Sequence, residues 1–105
     1  MISAFQQRVY AAVRRIPKGQ VTTYKILAET IGCGSSRAVG QALRRNPFAP
    51  EVPCHRVISS DLSIGGFSGE YRGDQISRKQ ALLAGEGVLF IDNYLADERT
   101  LFRFR

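Results

Sequence analysis

Apolar residues in the first part of the chain recur at helical spacing. Phe5, Val9, Ala12, Val13 and Ile16 share one face. Ser3 and Gln6 ahead of them fit a capping box, in which each side chain satisfies the other's free backbone N–H. Pro17 and Gly19 end this helix. Residues 21–23 form a short bridge, and residues 24–31 predict a second short helix with Leu27, Ala28 and Ile31 toward the core. Gly32-Cys33-Gly34-Ser35 reads as a tight turn. Ser35 or Ser36 caps a third helix that runs to about Arg45 and buries Val39, Ala42 and Leu43. Asn46-Pro47 ends it, because proline disfavours helical geometry in the residue before it.

Residues 48–52 are a loop carrying Pro50, and Val57 and Ile58 make a brief strand. Residues 59–73 are rich in Gly and Ser, centred on Gly65-Gly66-Phe67-Ser68-Gly69. Such a loop lets backbone approach a ligand closely, or serves as plain surface. Asp74 or Ser77 starts a fourth helix containing Ala81, Leu82 and Leu83, ended by Gly85 and Gly87. Residues 88–91 and 101–104 predict two strands of a small hairpin around a polar turn. The expected fold is mainly α: a winged-helix-like helix-turn-helix domain with a small β hairpin. The length of 105 residues predicts one domain over 1–105.

Charge adds a direction to this outline. Fifteen basic residues, twelve of them Arg, stand against nine acidic ones, for a net charge of +6. Arg suits phosphate because its planar fork binds oxygens bidentately, so the balance leans toward nucleic acid. Arg37, Gln41, Arg44 and Arg45 share the outer side of the third helix. That is the outline of a helix-turn-helix recognition face, although a solvated helix face has the same composition. No apolar run reaches the roughly 18 residues of a membrane helix, and no secretory signal is visible. Cys33 and Cys54 can pair in principle, but free thiols in an intracellular protein, cytoplasmic or nuclear depending on source, are the expectation. Two cysteines and one histidine make no recognisable zinc set, and neither metal nor cofactor is expected.

Cys54 is the candidate nucleophile. A free thiol is only a few per cent thiolate at neutral pH, and a neighbouring base raises that fraction. His55, the single histidine, follows it directly, and a water can relay the proton between them. The competing reading makes Cys54 a small buried hydrophobe and His55 a surface residue.

The stretch Val52-Pro53-Cys54-His55-Arg56-Val57-Ile58 resembles the active-site signature of the O6-alkylguanine-DNA alkyltransferases. Four more segments agree in order: Val21-Thr22-Thr23-Tyr24 with Ile26-Leu27-Ala28; residues 36–43 with Arg45-Asn46-Pro47; Gly66-Phe67-Ser68-Gly69; and residues 82–88. The resemblance implies that Cys54 accepts the alkyl group, that His55 takes its proton through a water, and that Glu86 orients His55. Tyr24 would assist the departing guanine and Asn46 would brace the active-site turn. Arg37 would hold the damaged base out of the duplex, with Gln41, Arg44, Ser36 and Thr23 as further DNA contacts. Val57, Phe67 and Ser68 would join Tyr24 around the base. The implied partner is double-stranded DNA containing O6-alkylguanine, bound by a monomer.

Two departures qualify these expectations. Many relatives carry a further domain ahead of this one, whereas here the first helix begins at Ser3. In length the chain resembles the alkyltransferase-like proteins, which bind alkylated DNA without the acceptor cysteine and flag it for excision repair; Cys54 favours transfer. Phe67 also stands where relatives often have Tyr.

Overall fold

The computed structural model describes residues 2–49, 51–65 and 73–104. Helix α1 spans Ala4–Val13. Ser3 Oγ accepts from the Gln6 amide at 3.0 Å and Gln6 Oε1 accepts from the Ser3 amide at 2.9 Å, so the capping box is closed. Tyr10, absent from the apolar stripe read in the sequence, is buried as well, and its hydroxyl donates to the Ala42 carbonyl at 2.7 Å. That bond ties α1 to the third helix at a depth where an unpaired hydroxyl would be costly.

Helix α2, Tyr24–Thr30, follows the two-residue strand β1, Thr22–Thr23, and α3 spans Ser36–Arg44. Thr23 caps α2 by accepting from the Ile26 amide at 3.1 Å. Ser35, rather than Ser36, caps α3 through the Ala38 amide at 3.1 Å. Arg8 reaches from α1 to the Ile31 carbonyl at the end of α2. Val9, Val13, Leu27, Val39 and Val52 are fully buried where the three helices meet.

The stretch around Cys54 crosses beneath them. A 3-10 turn, Cys54–Arg56, runs into β2, Val57–Ile58, which pairs in parallel with β1, Thr22 opposite Val57 and Thr23 opposite Ile58. Helix α4, Asp74–Gly85, closes the other side, burying Leu83 with Val21, Ile58, Val88 and Leu95. At its end the Gly87 amide donates to Ala84 and the Val88 amide to Leu83. This Schellman closure requires Gly87 at φ +85 and leaves Glu86 as the cap residue.

The hairpin differs from expectation. Strand β3, Phe90–Ile91, pairs antiparallel with β4, Tyr94–Leu95, not with residues 101–104. Asp92 and Asn93 both take positive φ, 50° and 73°. These two residue types tolerate that region, and a two-residue turn of this kind matches strand twist. Residues 101–104 return instead to β1: the Val21 amide donates to Thr100 at 2.9 Å, the Phe102 amide donates to Val21 at 2.6 Å, and Thr22 Oγ1 donates to the Phe102 carbonyl at 2.9 Å. Apolar alternation marked residues 101–104 as a strand but carried no information on its partner.

Candidate active site

The turn before Cys54 is set by backbone. Pro53 sits at φ −81°, ψ 69°, and the Cys54 amide donates back to the Val52 carbonyl at 2.8 Å, an inverse γ-turn. Asn46 holds that turn from outside. Its Nδ2 donates to the Val52 carbonyl at 3.0 Å while its Oδ1 accepts from the Phe48 amide at 2.9 Å. Both arms of one amide are thus engaged, and the loop after α3 is locked to the residue two before Cys54. Cys54 is half-buried, and both it and Cys33 are free thiols.

Successive side chains on a 3-10 turn diverge by roughly 120°. His55 therefore points inward while Cys54 stays at the rim. His55 is 5% exposed, and its Nε2 meets Glu86 Oε2 at 2.9 Å. Arg56 completes the cluster: Nε donates to Glu86 Oε1 at 2.8 Å and an η nitrogen to Oε2 at 2.9 Å. Burial pushes the Glu86 carboxyl up, but the hydrogen bonds from Arg56 and His55 outweigh it and hold the group at about 2. A carboxylate only accepts, so neutral His55 donates from Nε2 and keeps Nδ1 as its free acceptor.

Lys79 is an unexpected neighbour of this turn. It lies on α4 with no exposed surface, and Nζ donates to the Val57 carbonyl at 2.8 Å and the Ile64 carbonyl at 2.6 Å. Burial lowers its ammonium to about 7, and attraction to Cys54 works the other way. Sequence reasoning passed over Lys79 and saw Arg56 only as part of a motif. Helical spacing held a signal for Lys79: it shares the face of Ile76 and Leu83, which points at the core.

The remaining candidates divide. Arg37, Gln41 and Arg44 are exposed on α3 and Arg45 is exposed at its C-cap, with Ser36 half-exposed in its first turn. Tyr24 is the first residue of α2 and packs, like Cys54, at the margin of the main core. Thr23 is 4% exposed and its hydroxyl is occupied as the α2 cap. Val57 is fully buried, and its carbonyl accepts from Lys79. Phe67 and Ser68, with Gly66 and Gly69, lie outside the described residues. Among the described residues, no three His, Cys, Asp or Glu side chains are grouped to hold a metal, and no helix is long and apolar enough to cross a membrane.

The chain is similar to known proteins of one family. The family described as 6-O-methylguanine DNA methyltransferase, DNA binding domain, matches residues 4–88. The chain is 50% identical over 74 residues to a methylated-DNA–protein-cysteine methyltransferase of Pyrobaculum aerophilum, covering 70% of this chain and 46% of that protein. It superposes on Mycobacterium tuberculosis OGT in complex with DNA at a TM-score of 0.71 and 45% identity, covering 80% of this chain and 50% of the other. Schizosaccharomyces pombe (S. pombe) Atl1, in complex with damaged DNA containing O6-carboxymethylguanine, gives a TM-score of 0.79 at 32% identity over 93% and 94% of the two chains. The chain spans about half the length of the curated methyltransferases it matches.

Proposed function

Because the chain belongs to the O6-methylguanine-DNA methyltransferase family through its DNA-binding domain, we propose that it repairs DNA by moving an alkyl group from O6 of guanine onto Cys54, once per molecule. The observation that carries this reading is the inward pair of His55 and Glu86, 2.9 Å apart, directly beneath a half-buried Cys54. The Cys54 proton passes through a water to His55 Nδ1, and Glu86 stabilises the imidazolium. The thiolate sulfur then bonds to the alkyl carbon as the carbon–O6 bond breaks. The electron pair leaves with guanine, which takes a proton at a ring nitrogen from Tyr24. Asn46 keeps the turn rigid while this happens, and no cofactor enters the scheme.

The alkylated atom lies inside the base stack, so the nucleotide must leave the duplex. In this reading α2 and α3 act as a winged-helix-like helix-turn-helix, with α3 in the minor groove. Arg37 fills the space left by the extruded base, and Ser36, Gln41 and Arg44 follow the backbone. Thr23 serves by capping α2, and the backbone near Val57 together with Phe67 and Ser68 walls the base. The protein works as an intracellular monomer on double-stranded DNA containing O6-alkylguanine.

The long match to Atl1 supports a second reading, a lesion-binding protein that flags alkylated DNA without efficient transfer. Incubation with a duplex holding O6-methylguanine, followed by mass measurement of the Cys54 peptide, separates the two. Transfer adds 1 CH2 per protein, about 14 Da, and the gain vanishes in Cys54→Ser. Tight lesion binding with no mass gain would replace the first reading by the second.

A further inference from the structure

Arg56 holds more of Glu86 than His55 does. Its guanidinium spans both carboxylate oxygens, at 2.8 and 2.9 Å, whereas His55 shares only Oε2. A planar fork on two oxygens fixes the plane of the carboxylate as well as its place. The third arm of Arg56 donates to the Ile16 carbonyl at 2.9 Å, just past the end of α1. The turn after Ile16 abuts the same residue from behind: a Cβ on Gly19 would stand 3.4 Å from the Glu86 carbonyl oxygen. Arg56 itself has only 16% of its side chain exposed, and Glu86 12%.

A buried carboxylate stays charged only while its partners outweigh the loss of water. His55 and Arg56 face Glu86 from the turn, the Ile16 carbonyl closes the far end of Arg56 from α1, and Cys54 in turn acts on Lys79 of α4. Two opposite effects of Arg56 are conceivable. It shares the negative charge, which leaves less for His55, and it keeps that charge in existence. Burial is the largest influence on Glu86 and favours the neutral acid, with Arg56 the largest influence against it. Geometry adds what His55 alone does not supply: a hold on both carboxylate oxygens that keeps Oε2 facing His55.

We propose that Arg56 is the positioning residue of this site, holding Glu86 in place and aimed so that His55 can take the Cys54 proton, and tying that pair to the end of α1. The consequence for repair rests on the proposed role of Cys54 as alkyl acceptor. The positioning itself is open to test by thiol chemistry without DNA.

The test is the pH profile of Cys54 alkylation by iodoacetamide, read by peptide mass with Cys33 as internal reference, in wild type, Arg56→Met, Arg56→Lys and Glu86→Gln. In Arg56→Met the Cys54 profile should move up by about one pH unit, which is about tenfold slower reaction at a fixed pH on its rising limb, while Cys33 is unchanged. Arg56→Lys should recover part of the shift, since an ammonium reaches one oxygen but cannot bridge two. Adding Arg56→Met to Glu86→Gln should produce no further shift. An unmoved profile, a move to lower pH, or an equal shift in the Glu86→Gln background would overturn the proposal. If Arg56→Met does not fold, Arg56→Lys alone decides by the same criterion. The same profile measured for methyl transfer from O6-methylguanine duplex keeps the two readings apart. Wild type that alkylates as described but takes no methyl sinks the repair function and leaves the positioning role standing.

Discussion

The ammonium of Lys79 lies 2.8 Å from the carbonyl oxygen of Val57, inside the core and directly under the strand that leaves the Cys54 turn. Lys79 thus supports the floor of the site from α4. Burial has lowered it from 10.5 to about 7. The unfolded chain therefore binds the extra proton between those values and the folded chain does not, so stability rises with pH across that window and is flat below it. Chemical unfolding at pH 7, 8 and 9 should show an increase of up to about 1.4 kcal/mol per pH unit. Lys79→Met should remove the slope. A wild-type stability that falls from pH 7 to 9 would contradict this account.

Glu86 carries the opposite dependence. Its carboxyl is held at about 2 against an ordinary 4.5, so the stability it contributes is present above the ordinary value and is lost as pH falls through about 2. Acid unfolding followed by tryptophan-free probes such as far-UV circular dichroism should begin below pH 4.5 in wild type. Glu86→Gln should be less stable at pH 7 and lose less on acidification.

Asn46→Ala removes the bond to the Val52 carbonyl and the one from the Phe48 amide, which together lock the loop after α3. The Val52 carbonyl keeps its bond from the Cys54 amide, so the cost is that of two lost hydrogen bonds, about 1–3 kcal/mol, which urea unfolding would resolve. The proposed repair rate should fall further than stability alone explains, because the residue two before Cys54 is released. Equal rates at a temperature where both proteins are fully folded would remove Asn46 from the site.

Arg37 separates binding from chemistry. Arg37→Ala should slow repair of a duplex lesion much more than reaction with free O6-alkylguanine base, since its proposed task is to replace the extruded base. Duplex affinity should also fall steeply with salt, as phosphate contacts release counterions. Identical losses on duplex and free base would assign Arg37 to the thiol chemistry instead.

Phe102→Pro deletes the amide that donates to the Val21 carbonyl. The expected loss is about 1–3 kcal/mol, seen as a lower denaturant midpoint. An unchanged midpoint would mean that the returning tail adds nothing to β1.

Much of this architecture was legible in the sequence for local reasons. Capping residues and apolar spacing mark α1, α2 and α3, because helices are specified by near neighbours. The pairing of His55 with Glu86 came from resemblance, since nothing local connects residues so far apart. What stayed hidden was long-range or counter to type. A lysine on an apolar face reads as surface until two carbonyls are found above it. Arg56 reads as solvent-facing until its fork is seen on Glu86. The partner of residues 101–104 could not be chosen, because alternation defines a strand's faces and not its neighbour. That Thr23 also caps α2 and that Val57 is fully buried was not visible in the sequence either. The stretch 66–72, which carries Phe67 and Ser68, lies outside the described residues.

The parallel pairing of β1 with β2 has a kinetic consequence. Thr22 and Val57 meet across the whole of α2, α3 and the loop that follows. Tyr24 directly follows β1 and Cys54 opens the turn that leads into β2, so their relative placement is set only after loop closure over that distance. Such contacts form late, since chain entropy must be spent before they return anything. A partly folded chain can hold its helices and still have no assembled site, and reactivity should therefore be among the last properties gained on refolding.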